Sequence, residues 1–239
     1  MKKIKSIILS ILLVLVGLLL IYEGIPIISR FYEIIEQYKW VGVGIATYIL
    51  FYFLINKYKK PNDTINSNLD FMEVFSHELT HAIVAIICWR KILSFHVERK
   101  NGVVWMTGGK WAEGIITLSP YCLPIFTMIM LFLWSLVATR SLVANEGLMA
   151  FDIIIGMTLA FHVFCFHDQT GDFQTDIKQF PKFFAYSFIW ILRILNLLII
   201  ILCYIPNRHT GQPLKVWGAF WYLICQFWND ILSIFNWII

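Results

Sequence analysis

The sequence predicts an all-α polytopic membrane protein with about six transmembrane helices and a short β-hairpin. Three observations carry that prediction. Hydrophobic residues make up 59% of the 239-residue chain and charged residues only 14%, where a soluble domain carries about 25% charge. Apolar runs close to bilayer-spanning length recur from end to end. The net charge is a modest +4, with Lys and Arg gathered at the ends of those runs, a pattern of membrane orientation that excludes a nucleic-acid-binding face.

The elements follow in order. MKKIKSIILSILLVLVGLLLIYEG has a basic start and a long apolar run, with no small-x-small cleavage site after it. It reads as an uncleaved first span at 5–22. Further spans fall near 40–56, 71–89, 119–138, 147–166 and 183–206, and an aromatic segment at 216–239 either spans or lies in the interface. A span needs about 20 residues at about 1.5 Å each, so 40–56 and 71–89 are near the short limit. KKPNDTINSNLD (59–70) is rich in turn formers and joins two helices as a polar linker. The chain thus divides into an N-terminal helix pair (1–60), a core (70–206) and an aromatic C-terminal helix (207–239). The five cysteines form no CxxC pair and read as small apolar packing residues.

Orientation follows from the basic clusters. Lys2, Lys3 and Lys5 precede the first span, and Lys57, Lys59 and Lys60 follow the second. Keeping both inside leaves 23–39, with five charges of mixed sign, outside, and the third helix enters from the cytoplasmic side. Arg90, Lys91, Arg99, Lys100 and Lys110 disagree if that helix spans fully. A partial or tilted helix followed by a re-entrant segment reconciles them. In ILSFHVERKNGVVWMTGG, β-branched and aromatic residues flank Arg-Lys-Asn-Gly, with Asn101-Gly102 at the bend. That is a strong hairpin signal. Unpaired backbone cannot face lipid, so the hairpin must sit at the interface or against protein.

The chemistry lies in FSHELTHAIVA (75–85). His77 and His81 are four apart, so a helix stacks them on one face with both rings able to reach one ion. Glu78 lies about 100° round the helix and can take a proton from zinc-bound water, whose pKa the metal lowers to about 7. With six His and eight Glu in the chain, chance produces HExxH in about one such sequence in two hundred. An acid in the middle of a membrane helix also costs about 2.5–3.5 kcal/mol on insertion scales. Metal binding accounts for three such costly groups. Ala82 and Ala85 permit close helix approach, and Asp70 or Asn68 can cap a helix starting nearby.

On FSHELTHA (75–82), the hairpin region 92–107, LSPYCLP (118–124) and FQTDIKQF (173–180), residues 70–180 resemble the site-2 protease family of intramembrane zinc metalloproteases. The likeness is to a small bacterial-type branch without a PDZ domain. It implies a metalloprotease core over 70–206 that cuts peptide bonds of membrane-embedded or membrane-associated substrates. Zn2+ would be held by His77, His81 and an aspartate from a later segment, with Glu78 catalytic. The usual Asn-Pro…Asp-Gly context of that aspartate is missing, and Asp168, Asp172 and Asp176 all compete in HDQTGDFQTD. QTDI resembles the aspartate-bearing stretch of the smaller branch, which favours Asp176. His162, on an apolar helix, reads as a packed or supporting residue, and His96 and His209 as surface residues. The expected setting is a bacterial cytoplasmic membrane, multi-pass, with the site facing the cytoplasmic side. The expected partners are a membrane protein or peptide substrate and the lipid bilayer, with no nucleic acid. Rival readings are a non-proteolytic zinc-binding scaffold and an ion transporter; the broken paired helices and internal repeats of transporters are not evident in the sequence.

Overall fold

The computed structural model describes residues 2–57, 64–109, 112–138, 145–170, 174–204 and 216–238. They are mostly helical, with one two-stranded sheet. Nine α-helices occur among them: α1 (Lys2–Ile34), α2 (Lys39–Lys57), α3 (Thr64–Ile87), α4 (Glu113–Leu118), α5 (Ile125–Ala138), α6 (Asn145–Gln169), α7 (Thr175–Lys178), α8 (Lys182–Tyr204) and α9 (Val216–Ile238). Between α3 and α4 lie β1 (Ile92–Val97) and β2 (Gly102–Met106).

Two apolar helix pairs form the frame. α1 packs along α8, with Gly17 under Ile191 and Gly24 under Leu198. α2 packs along α6, where a Cβ on Gly44 would strike the Ile153 backbone and one on Gly156 the Val41 backbone. Glycine on each helix lets the two backbones touch, which is how helices associate where apolar surface alone supplies no drive. The largest buried cluster joins α1, α5, α6, α8 and α9 through residues such as Leu20, Leu131, Ile155, Leu198 and Leu223.

Among the described residues, three helical stretches are long and apolar enough to cross a membrane: Ile7–Tyr32, Met149–Gln169 and Lys182–Tyr204. A fourth candidate is a bent pair, Glu113–Tyr121 with Ile125–Leu136, and Lys39–Ile55 is a shorter apolar helix. The expected single span at 119–138 is therefore an elbow of 89°. Pro124 explains it: the residue before a proline is disfavoured in the helical region, and Cys122 and Leu123 have left the helix, whereas Ser119, ahead of Pro120, is still helical. The external loop expected over 23–39 is largely absent too. α1 continues through Glu23 and Pro26 to Ile34, because Leu20 and Ile27 keep one face buried. The cap expected at Asn68 or Asp70 is also corrected. α3 starts at Thr64 and both residues are inside it, since adding a turn to an existing helix costs far less than starting one. His77 consequently lies about 20 Å from the helix start.

The hairpin forms where expected, antiparallel, with Val97 opposite Gly102 and Phe95 opposite Val104, and a bulge between Ile92 and Ser94. The turn occupies Glu98–Asn101, closed by the Glu98 N–H on the Asn101 carbonyl (2.8 Å). Gly102 thus belongs to β2 rather than to the bend.

Candidate metal centre

α3 carries His77 and His81 one turn apart, their rings edge to face at 4.9 Å. α7 brings Asp176 to them from a segment between α6 and α8. Ile177, 2% exposed, anchors this one-turn helix among Leu118, Tyr121, Ala185 and Ile189, which leaves its neighbour Asp176 facing α3. Asp176 Oδ2 lies 3.5 Å from His77 Nε2 and 3.4 Å from His81 Nε2. The three residues are a group able to hold a metal ion, with one ligand atom each within 4.8 Å of the others.

The far side of each ring fixes its tautomer. His81 Nδ1 is 2.9 Å from the Ile116 carbonyl, in the last turn of α4, where a helix leaves carbonyls without partners. A carbonyl only accepts, so His81 Nδ1 carries the hydrogen. His77 Nδ1 meets Gln169 Oε1 at 3.3 Å, while Gln169 Nε2 donates to the Glu73 carbonyl at 3.5 Å. Again Nδ1 is the donor. Both Nε2 lone pairs therefore face a carboxylate oxygen, an arrangement of acceptors that only a cation or added protons can satisfy. One carboxylate neutralises one imidazolium, not two; a divalent cation serves all three groups at once.

Zinc fits this donor set. Bonds of about 2.0–2.2 Å in a tetrahedron put neighbouring ligand atoms about 3.3–3.6 Å apart, the range in which both histidine–aspartate distances fall. Hydrogen-bonding the outer nitrogen of each histidine is also how metal-ligating imidazoles are usually held. Burial of Asp176 works to raise its pKa. When both rings carry a second proton, on Nε2, their hydrogen bonds and charge outweigh that and hold the carboxyl below the ordinary carboxylate range; a cation between the three groups would take the place of those protons.

Glu78, only 8% exposed, lies against the first residue of β2. A Cβ at Gly102 would fall 2.8 Å from its Cδ and Oε1 and closer still to Cγ. This, not a turn, is why glycine stands at 102. A cavity of about 740 Å3 opens over His77, Glu78, His81 and Asp176, bordered by Lys100 and by consecutive residues Gly102, Val103 and Val104.

The other candidates are elsewhere. Asp168 accepts from Tyr52 Oη (3.4 Å) and contacts His167 (3.0 Å). Asp172 and His209 lie outside the described residues. His162, 2% exposed, accepts the Phe126 N–H at 3.1 Å and so caps the start of α5. His96 is exposed and pairs with Glu98. Four cysteines are buried and unpaired, while Cys225 is exposed. Sequence reasoning missed Gln169 and Tyr121, whose side chains hold His77 and Asp176; residue type alone distinguishes neither from ordinary polar residues.

The fold and site thus define a mostly helical chain with membrane-length helices and a two-histidine, one-aspartate group suited to a metal. Comparison with protein-family models, with curated proteins and with solved structures finds no match.

Proposed function

We propose that the protein is an intramembrane zinc metalloendopeptidase similar to the site-2 proteases, hydrolysing peptide bonds of membrane-embedded or membrane-associated substrates. The observation that carries the reading is the convergence of two Nε2 lone pairs and the Asp176 carboxylate beside Glu78, in a cavity lined by α3, β2, α4 and α7. Zinc bound there would supply Lewis acidity toward a scissile carbonyl and toward water. His77, His81 and Asp176 would hold it, and Glu78 would accept a proton from water and return it to the leaving amine. About six crossings follow if α2, α3 and the bent α4–α5 pair are counted with the three longest apolar stretches. The basic clusters then put the cavity toward the cytoplasmic side of a bacterial membrane.

Purified in detergent, wild type is expected to cleave members of a library of single-span membrane peptides. Glu78→Gln is expected to lower cleavage at least about 100-fold while keeping its zinc. Undiminished cleavage by the variant, or none by zinc-loaded wild type, rejects the reading.

An extended substrate would add to the free edge of β2. Glu98 bonds Asn101, and the Thr107 N–H bonds the Lys91 carbonyl; antiparallel alternation between them aims the Val104 N–H away from β1. Val104→Pro should therefore leave the hairpin and zinc in place and lose most cleavage. Wild-type turnover would discard edge pairing alone.

A further inference from the structure

The elbow between α4 and α5 carries an arrangement that the catalytic reading does not use. Tyr121 is completely buried. Its hydroxyl donates to Asp176 Oδ2 at 3.2 Å, the same oxygen that faces both histidines. Its ring stands edge-on to His77, with centroids 5.2 Å apart and planes at 81°. A carboxylate oxygen has more than one lone-pair site. With the phenol on one of them, the plane of the carboxylate is set and another stays directed between the imidazoles.

Tyr121 is itself gripped from behind. Arg193 Nε donates to the Tyr121 carbonyl (2.9 Å), and Asn196 Nδ2 donates to the Cys122 carbonyl (3.0 Å). The two donors are three apart on α8 and share a face. They satisfy the carbonyls that the elbow leaves without helical partners. The second arm of the same guanidinium reaches the end of α6, donating to the Phe166 carbonyl (3.2 Å) and to Thr170 Oγ1 (2.6 Å). Between those two residues sits Gln169, the acceptor for His77 Nδ1.

We propose that Tyr121 and Arg193 are positioning residues of the metal centre: the Tyr121 hydroxyl orients Asp176, and Arg193 locks Tyr121 and the Gln169 segment in one register. Asp176 and His77 are thereby held through a single cation on a helix that contributes no ligand. The inference rests on the metal-binding part of the proposed function.

The test measures metal rather than cleavage. Zinc affinity, the visible spectrum of the Co2+-loaded protein and thermal stability are compared for wild type, Tyr121→Phe, Arg193→Lys and Arg193→Gln in detergent. Tyr121→Phe keeps the ring and its packing on His77. It is expected to lose about 10- to 100-fold in zinc affinity and to shift the Co2+ bands, with its melting temperature near that of wild type. Arg193→Gln is expected to show the same spectral change, and Arg193→Lys a smaller one, because lysine keeps the charge but not the two-armed fork. Wild-type affinity and an unchanged Co2+ spectrum in Tyr121→Phe overturn the proposal even if Arg193→Gln fails to fold. A wild type that takes up no stoichiometric metal overturns the site reading and this inference together, a result distinguishable from the first.

Discussion

Two clusters of polar groups lie side by side in this apolar chain, one buried and one half-buried, and they are built on opposite principles. At the elbow, donor meets acceptor throughout. The Tyr121 and Cys122 carbonyls take Arg193 and Asn196, and the Phe126 N–H takes His162. At the candidate metal centre, acceptors meet acceptors: two imidazole lone pairs converge on a carboxylate. Both clusters contain histidine on an apolar helix. What separates a structural imidazole from a ligand is the direction of the nitrogen not already in use. His162 spends Nε2 on a backbone N–H, whereas His77 and His81 keep Nε2 for the cavity and anchor themselves through Nδ1.

The largest effect that can break this contrast is loss of the metal. His77→Ala should reduce bound zinc from about one equivalent to none, read by elemental analysis, with helical content retained. Zinc still bound at full stoichiometry would remove the distinction between the clusters. A smaller effect tests the boundary between hairpin and helix. Gly102→Ala should push the Glu78 carboxylate aside, leave zinc in place and lower cleavage by about 100-fold, the scale of a misplacement near 1 Å. Unchanged turnover would show that the hairpin tip yields freely. The smallest effect belongs to the elbow. His162→Ala should leave zinc content untouched and cost about 1–3 kcal/mol for the stranded Phe126 N–H, seen as a lower unfolding temperature in detergent. Zinc loss in that variant would mean the two clusters are one.

Much of this was legible in the sequence wherever contacts are local. The apolar runs marked the helices, Asn101-Gly102 marked the hairpin, and the i, i+4 spacing put His77 and His81 on one face. The errors share a cause. α1 outran its expected end at 22, and α3 began six residues before Asp70. In both cases a packed or already formed helix carried along residues whose own preference is for turns. The elbow was hidden inside an apolar run because hydropathy counts Pro124 as one more residue and not as a change of direction.

Among the three aspartates the sequence favoured Asp176 only through a resemblance; its spacing did not choose. Asp168, Asp172 and Asp176 stand within nine residues of one another, and only the burial of Ile177 beside Asp176 turns that residue toward α3. Gly102 teaches the same: the sequence assigned it to the bend, whereas it opens β2 and makes room for a glutamate 24 positions earlier. Periodicity along one helix decides which side chains share a face, because backbone geometry repeats every 3.6 residues. Which face meets which is decided only by the packing of whole elements, and that is where Asp176, Tyr121 and Arg193 acquire their roles.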